Sequence, residues 1–378
     1  MSIKSITHLT SVHPRYDTRI FFKECISLTE IKNYKVNLIV ADSLGDEVNS
    51  KVFIYDVGKA KNRIQRIFYT TKKVFNKAVE LKSDIYHIHD PELIPIGLKL
   101  KKIGKIVIFD VHEHISLQIQ DKKYLNKALR KILSKFYIFY EKYALAKFDF
   151  LILAEDSYVP HYERINNICT ILNMPDTVAL KDYIVNNRVD NGLFYIGGIS
   201  NERGLDVTID AIKILKNKYT DIYMHYIGNT YNDILRTLDL KDIQENIKFY
   251  GHMPLHQGLE ISKHAKVGLS ILKPLANYRY SYSTKIFEYM AIGLPVVTSN
   301  FELYKNIIEK YNCGICVDPQ NPQEIADAID SIISSPQLAY QMGQNGQEVV
   351  EKYFNWNVEK TKLFDIYYKL LQEKSYDA

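Results

Sequence analysis

Residues Ser283 to Ser299, STKIFEYMAIGLPVVTS, set a lysine and a glutamate three apart behind two hydroxyl side chains. Ser283 and Thr284 are residue types that cap a helix start, and Lys285 and Glu288 at this spacing share one face near its positive end. Gly293 and Pro295 stop the helix, and Val296 and Val297 open a strand. A capped helix N-terminus with a lysine in its first turn suits a phosphate, and a glutamate one turn on can accept hydrogen bonds from a ribose diol. The pair fits a nucleotide that carries a sugar. Taken alone, the segment is explained equally well as an ordinary strand-and-helix unit with solvated charges.

Other chemistry-bearing residues follow apolar runs. In the first half they are SVHPRYDTR (Ser11 to Arg19), HDPE (His89 to Glu92) and DVHEH (Asp110 to His114). Ligands of parallel sheets bind beyond the carboxyl ends of the strands, so three ionisable clusters at one sheet edge predict a shared cleft. In the second half Gly197 and Gly198 precede SNERG, which brings Arg203 to the entrance of a helix. Small residues let backbone approach a pyrophosphate, and an arginine can pair with it. Gly251, His252 and Met253, after another strand, can seat a flat base through backbone groups. Cys313 and Cys316 form a CxxC without the second ligand pair that a structural zinc needs, and they read as small residues in a turn.

The elements that must hold these residues alternate. Strand-like runs at Ile6 to Leu9, Val36 to Val40, Ile85 to Ile88, Ile106 to Phe109 and Leu151 to Ala154 are separated by helical patterns at Arg19 to Thr29, Ile64 to Leu81 and Leu93 to Lys102. The rhythm restarts at Leu193 to Ile196 and continues through Ile222 to Ile227, Ile247 to Phe249, Val267 to Ile271, Val296 to Ser299 and Gly314 to Val317. This predicts an α/β protein of two doubly wound parallel sheets, two Rossmann-like domains. The polar stretch from Asn173 to Gly192 reads as the linker between them. Helices over Glu324 to Ile333, Leu338 to Tyr353 and about Val358 to Lys374 close the chain.

With 378 residues, 46% hydrophobic and 25% charged, the composition is that of a soluble globular protein of two domains. The start, MSIKSITHLT, lacks the apolar run of a secretory signal, and the expected place is the cytoplasm. Charge is uneven: residues 1–180 carry 28 Lys plus Arg against 20 Asp plus Glu, and the remainder 21 against 24. From Lys122 to Lys147 the bases Lys122, Lys123, Lys127, Arg130, Lys131, Lys135 and Lys142 interleave with Leu129, Ile132, Leu133, Phe136, Phe139 and other large apolar groups. Such a basic amphipathic helix fits an anionic membrane surface, and a solvated helix face is the plain alternative. No nucleic-acid motif accompanies it, so nucleic acid is not an expected partner.

The order of motifs resembles the retaining glycosyltransferase family 4 along nearly the whole chain. The resemblance rests on DVHE, GGISNERGL, KIFEYMAIGLPVV, CGICV with NPQEIADAI, and FNW near the C-terminus. It implies the GT-B fold, with two Rossmann-like domains facing across a cleft and a C-terminal helix crossing back to the first. The implied division is 1–178 for the acceptor, 179–355 for the nucleotide sugar, and 356–378 for that helix. Carried over, the family pattern makes Glu288 the acid that binds the donor ribose. It makes Arg203 the phosphate-binding base, with Lys285 near the diphosphate, and His112 the histidine beside the donor sugar. His89, Asp90, Glu92 and Glu113, with Arg15, Asp17 and Arg19, fall on the acceptor side. The chain departs from the pattern at Tyr280, where the family often has a second glutamate, and at Gly198, where it often has an arginine. Tyr278, Arg279, Tyr280 and Tyr282 are then the residues expected to shape the sugar pocket.

The implied reaction moves a sugar, with retention, from a nucleotide sugar to a hydroxyl of a glycan or lipid-linked acceptor in cell-surface polysaccharide assembly. Fixed positive groups stabilise the departing diphosphate, and no DxD pair stands at a strand end, so no cofactor or obligatory metal is expected. A place at the inner face of the cell membrane follows from the basic helix. A nucleotide-sugar epimerase and a catalytically silent subunit of the same fold are the alternatives.

Overall fold

The structure, a computed structural model, describes residues 3–112, 126–188, 190–230, 234–275 and 278–376. Contacts divide the chain into two compact units: Met1–Asn173 with Asn357–Ala378, and Met174–Trp356.

The first unit is built on β1 (Lys4–Leu9), β2 (Tyr34–Val40), β3 (Glu47–Asn49), β4 (Val52–Asp56), β5 (Ile85–Ile88), β6 (Ile106–Val111), β7 (Phe150–Leu153) and β8 (Ile168–Thr170). They form one sheet in the order β3-β4-β2-β1-β5-β6-β7-β8, parallel except for β3 against β4. Its central strands read as near-continuous apolar runs because both faces are covered: Leu38, Ile39, Val40, Ile85, Ile88, Val107 and Ile108 are fully buried. The Thr71–Leu81 helix packs through Val74 and Ala78, four apart on one face. The C-terminal helix, Trp356–Tyr376, gives this unit Leu363, Ile366, Tyr367 and Leu370, and its Glu359 Oε2 accepts from the Leu172 amide at 2.9 Å. The β3–β4 hairpin and β8 were not expected from the sequence. β3 and β8 are the short edge strands, with β4 next to the edge, and Glu47 and Asn49 hide the strand pattern of β3.

The second unit holds β9 (Gly192–Ile196), β10 (Tyr223–Ile227), β11 (Ile247–Phe249), β12 (Val267–Ser270), β13 (Val296–Ser299) and β14 (Gly314–Val317). All pair in parallel, in the order β11-β10-β9-β12-β13-β14. Pro322–Ile333 and Pro336–Tyr353 start as helices should, with proline at the first position. Asn321 Oδ1 accepts from the Gln323 and Glu324 amides, and Ser335 Oγ from that of Leu338. The FNW break is a stop: Asn355 Nδ2 donates to the Val350 and Glu351 carbonyls at 2.9 and 2.7 Å, closing the preceding helix.

Two readings change. The polar stretch read as a linker folds onto the second unit. Arg188 Nη1 donates to the Ser262 and Ala265 carbonyls at 2.6 and 2.9 Å, and its Nη2 to that of Ile292 at 2.9 Å. Charged anchors replace the apolar stripe whose absence suggested a linker. Cys316 lies within β14, not in a turn, and burial pushes both CxxC thiols up to about 12.

Candidate functional site

A doubly wound sheet opens a crevice where the chain switches sides, and in the second unit that point lies between β9 and β12. The turn after β9 begins with Gly197 at φ +133°, a conformation that side chains rarely adopt. A β-carbon on Gly197 would stand 3.1 Å from Lys285 Nζ and 3.8 Å from an Arg203 guanidinium nitrogen, so two cations converge on one stretch of backbone. Gly228, after β10, has φ +139°, and a β-carbon there would fall 1.9 Å from the Gly197 carbonyl oxygen. Its amide donates to the Gly251 carbonyl at 2.8 Å. Three adjacent strand ends are thus stripped of side chains beside the two cations.

Lys285 lies in the first turn of the Thr284–Ala291 helix and is nearly fully buried, its Nζ 4.7 Å from the Tyr195 ring centre. Burial and the Arg203 charge pull its pKa down to about 7, against the opposing charge of Glu288. An anion at this spot would relieve both costs. Arg203 sits at the end of the Asn201–Arg203 turn, its guanidinium 6.0 Å from the Tyr278 ring centre. Gly204, at φ +74°, lets the chain pass from that turn into the Leu205–Lys216 helix, and a β-carbon there would strike Ile271 at 2.7 Å. Arg203, Tyr278, Ser281, Tyr282, Ser283, Thr284 and Lys285 bound a hollow of about 220 Å3.

The predicted cap is corrected. Ser283 holds the cap position but makes no capping hydrogen bond, and its Oγ lies 3.1 Å from Ser270 Oγ at the end of β12. The hydroxyl ties the helix start to the switch point instead. Glu288, half-buried one turn on, shares the helix face of Lys285. Gly198 follows Gly197, and its carbonyl accepts from the Tyr195 hydroxyl at 2.5 Å. Beyond Gly251, His252 is exposed and Met253 half-buried. Tyr280 is drawn away from the cations into a separate hollow with Arg279, Asn300, Phe301 and Asp318.

In the first unit a pocket of about 550 Å3 is bounded by His13, Arg63, Arg66, Glu92, His112, Tyr137, Tyr140 and Glu141, among others. His112, just past β6, has Nε2 at 2.9 Å from Asp110 Oδ2 and 3.2 Å from His89 Nδ1. Asp90 Oδ2 accepts from Thr10 Oγ1 and Ser11 Oγ at 3.0 Å each, and so holds the loop after β1. Glu92 Oε1 accepts from Arg66 Nε at 2.8 Å and Ser11 Oγ at 2.7 Å. His89, Asp90, Glu92 and His112 all border this pocket.

Three acceptor-side expectations do not hold in this geometry. Arg15 spends its guanidinium on Asp42, at 2.7 Å twice, and on Glu47 at 2.8 Å. Arg19 is buried in a two-bond pair with Asp110, at 2.8 and 2.9 Å, and also donates to the Ile171 carbonyl. Asp17 accepts from the Arg19 and Ile20 amides at 2.9 Å each, starting the Ile20–Cys25 turn. All three build the scaffold rather than line the pocket. Glu113 lies outside the described residues.

The structure adds residues that the sequence reading passed over. Gly228 repeats the pattern of Gly197, a glycine closing an apolar run, and was open to the same inference. Tyr195 gave no such signal, being one of 29 tyrosines, while Tyr278, expected at the sugar pocket, lies beside the Arg203 guanidinium. Glu141, pushed up to about 7 chiefly by burial, faces the first unit's pocket.

The sequence model of one family, described as "Glycosyl transferases group 1", matches residues 183–349. Spore coat protein SA of Bacillus subtilis is 25% identical over 189 residues, 47% of this chain and 48% of its own. An uncharacterized glycosyltransferase of Haemophilus influenzae is 22% identical over 318 residues, covering 81% of this chain and 83% of that one. With the first of these, the match spans about half the relative's length. A solved Anabaena protein, HepE in complex with UDP and glucose, superposes with a TM-score of 0.70 over 97% of this chain and 100% of its own, at 12% identity. With two parallel-sheet α/β units and this likeness, the chain has the GT-B fold, and its second unit belongs to the glycosyl transferases group 1 family.

Proposed function

We propose that the chain is a glycosyltransferase that takes a sugar from a nucleotide-sugar donor and moves it, with retention, to an acceptor hydroxyl. The convergence of Lys285 and Arg203 on the glycine turn after β9 carries this reading. A diphosphate placed there meets two fixed cations, bare backbone and a helix start, which together stabilise its charge as it leaves. That stabilisation asks for no divalent ion at the leaving group. Glu288, on the same helix face, binds the donor ribose. The UDP in the solved complex of similar fold supports a nucleotide as ligand.

The acceptor is a glycan carried on a lipid, as in cell-surface polysaccharide assembly, and the protein works at the inner membrane face. The Lys127–Leu145 helix supports this: Leu129, Ile132, Phe136, Phe139 and Tyr143, spaced three and four apart, are exposed among Lys131, Lys135 and Lys142. That is an apolar stripe turned outward, flanked by bases, as a membrane-lying helix requires. Ile64, Phe68 and Tyr69 are exposed beside Arg63 and Arg66, and both segments border the 550 Å3 pocket. Among the described residues no helix is long and apolar enough to cross a membrane.

Arg203→Ala and Glu288→Ala each weaken donor binding or turnover at least tenfold, read by titration with UDP-, GDP- and ADP-sugars and by product formation. Unchanged donor kinetics in both variants would overturn the site. Incubation with donor alone separates transfer from epimerisation, since an epimerase alters the sugar without an acceptor.

A further inference from the structure

We infer that His8, His87, His89 and Glu24 form a buried structural site for one divalent ion of the zinc class inside the first unit. His8 on β1 stands opposite His87 on β5, and His89, two residues further, lies on the same side. Glu24 comes from the Ile20–Cys25 turn. Its Oε2 is 3.8 Å from His8 Nδ1, from His87 Nδ1 and from His89 Nε2, and His8 Nδ1 is 2.9 Å from His89 Nε2. One donor atom from each residue falls within 4.8 Å of all the others. A tetrahedral ion with bonds of about 2.0–2.2 Å needs donor atoms about 3.3–3.6 Å apart, so small shifts complete the shell.

The polar atoms are otherwise poorly served. Neither Glu24 oxygen makes a hydrogen bond, although all four residues are buried. A buried carboxylate without hydrogen bonds is costly. Oε1 lies 3.2 Å from Arg19 Nε, but that guanidinium is already committed to Asp110, so two buried carboxylates face one cation. Outer partners are also in place: His89 Nδ1 lies 3.5 Å from Asp110 Oδ2, and His8 Nε2 3.3 Å from the Tyr367 hydroxyl. That hydroxyl is also 2.8 Å from His87 Nδ1 and turns to His8 when the ion takes the lone pair. With four protein ligands and no ligand exposed to solvent, the ion holds structure and does no chemistry. Sequence spacing gave no hint, because His8 and His89 stand 81 positions apart.

Metal content of the full-length chain, purified without a metal-affinity tag, tests this by elemental mass spectrometry. The expected result is close to one zinc per chain. X-ray absorption then shows a nitrogen and oxygen shell at about 2.0–2.1 Å with imidazole outer scattering, and no sulfur at about 2.3 Å. Glu24→Gln and His87→Ala each lower the content at least fivefold. Chelation of the wild-type chain lowers its Tm by about 5–10 °C, reversed by added zinc. Less than about 0.1 divalent ion per wild-type chain, both as purified and after incubation with zinc, would overturn the site. So would a sulfur shell, which would assign the ion to cysteines. Both readings use the wild-type chain, so a variant that fails to fold does not shield the proposal.

Discussion

At the scale of residues, the candidate donor site depends on one lysine held in an unfavourable place. Lys285 is buried beside Arg203, and its pKa falls to about 7. A bound diphosphate favours the charged form and raises that value. Below pH 7 the lysine is already charged, so affinity for a nucleotide sugar is flat with pH. Between pH 7 and the raised pKa of the complex, affinity falls by up to about tenfold per pH unit, because each binding event must then take up a proton. Calorimetry at pH 8 in buffers of different ionisation heat shows that uptake, and Lys285→Met abolishes it. A buffer-independent enthalpy would show that Lys285 does not meet the ligand. Lys285, Glu288, Arg203 and Gly197 were legible because helix starts and glycine turns have sequence signatures. Tyr195 was not, since an aromatic ring beneath a cation leaves no spacing to read, and Tyr278 was read as shaping the sugar pocket without its place beside Arg203. Arg15 and Arg19 were misread for a related reason: a polar loop at a strand end looks the same whether its charges face a ligand or, as here, Asp42 and Asp110.

At the scale of elements, the central strands of both sheets were readable because buried parallel strands are continuous apolar runs. Edges were not. The β3–β4 hairpin and β8 are short and partly polar, and their pairing is decided by neighbours in the sheet. The Lys127–Leu145 helix shows what periodicity leaves open: its pattern predicts a stripe but not the direction it faces, and the structure turns Phe136 and Phe139 outward. If that stripe rests on lipid, Lys131→Glu with Lys135→Glu reduces pelleting with anionic vesicles about tenfold or more, at about 1 kcal/mol for each lysine removed and more for reversed charge. Phe136→Ser with Phe139→Ser reduces it on neutral vesicles as well. Equal pelleting of variants and wild type would remove the membrane reading.

At the scale of the whole molecule, the chain is not divided in sequence order. Asn357–Ala378 belongs with Met1–Asn173, and Glu359, Tyr367 and Lys360 bond to Leu172, His87 and Glu30. The last helix is thus part of the first unit's core. Deleting residues 357–378 removes the buried side chains of Leu363, Ile366, Tyr367 and Leu370, each contributing about 1.5–3 kcal/mol. That total is comparable to the stability of a domain. Hydrogen exchange on the shortened chain then shows loss of protection across residues 3–172, while residues 174–356 keep theirs. Uniform loss in both units would contradict the division. The α/β class and the two-domain plan followed from the alternating rhythm alone, but the ends of the units did not. The stretch after Asn173 is anchored by Arg188 to three carbonyls distant in sequence, which no local pattern reveals.

The central claim is that Arg203 and Lys285, closing on the turn at Gly197, hold the diphosphate of a nucleotide sugar. Calorimetric titration of the intact chain with UDP, GDP and ADP, beside Arg203→Ala, tests it most directly. Charge-assisted hydrogen bonds contribute about 1.5–3 kcal/mol, so at least one nucleotide binds the wild type and the variant binds it about 10- to 150-fold more weakly with its fold intact. Equal affinity in the two proteins, or no nucleotide binding to the wild type, would contradict it.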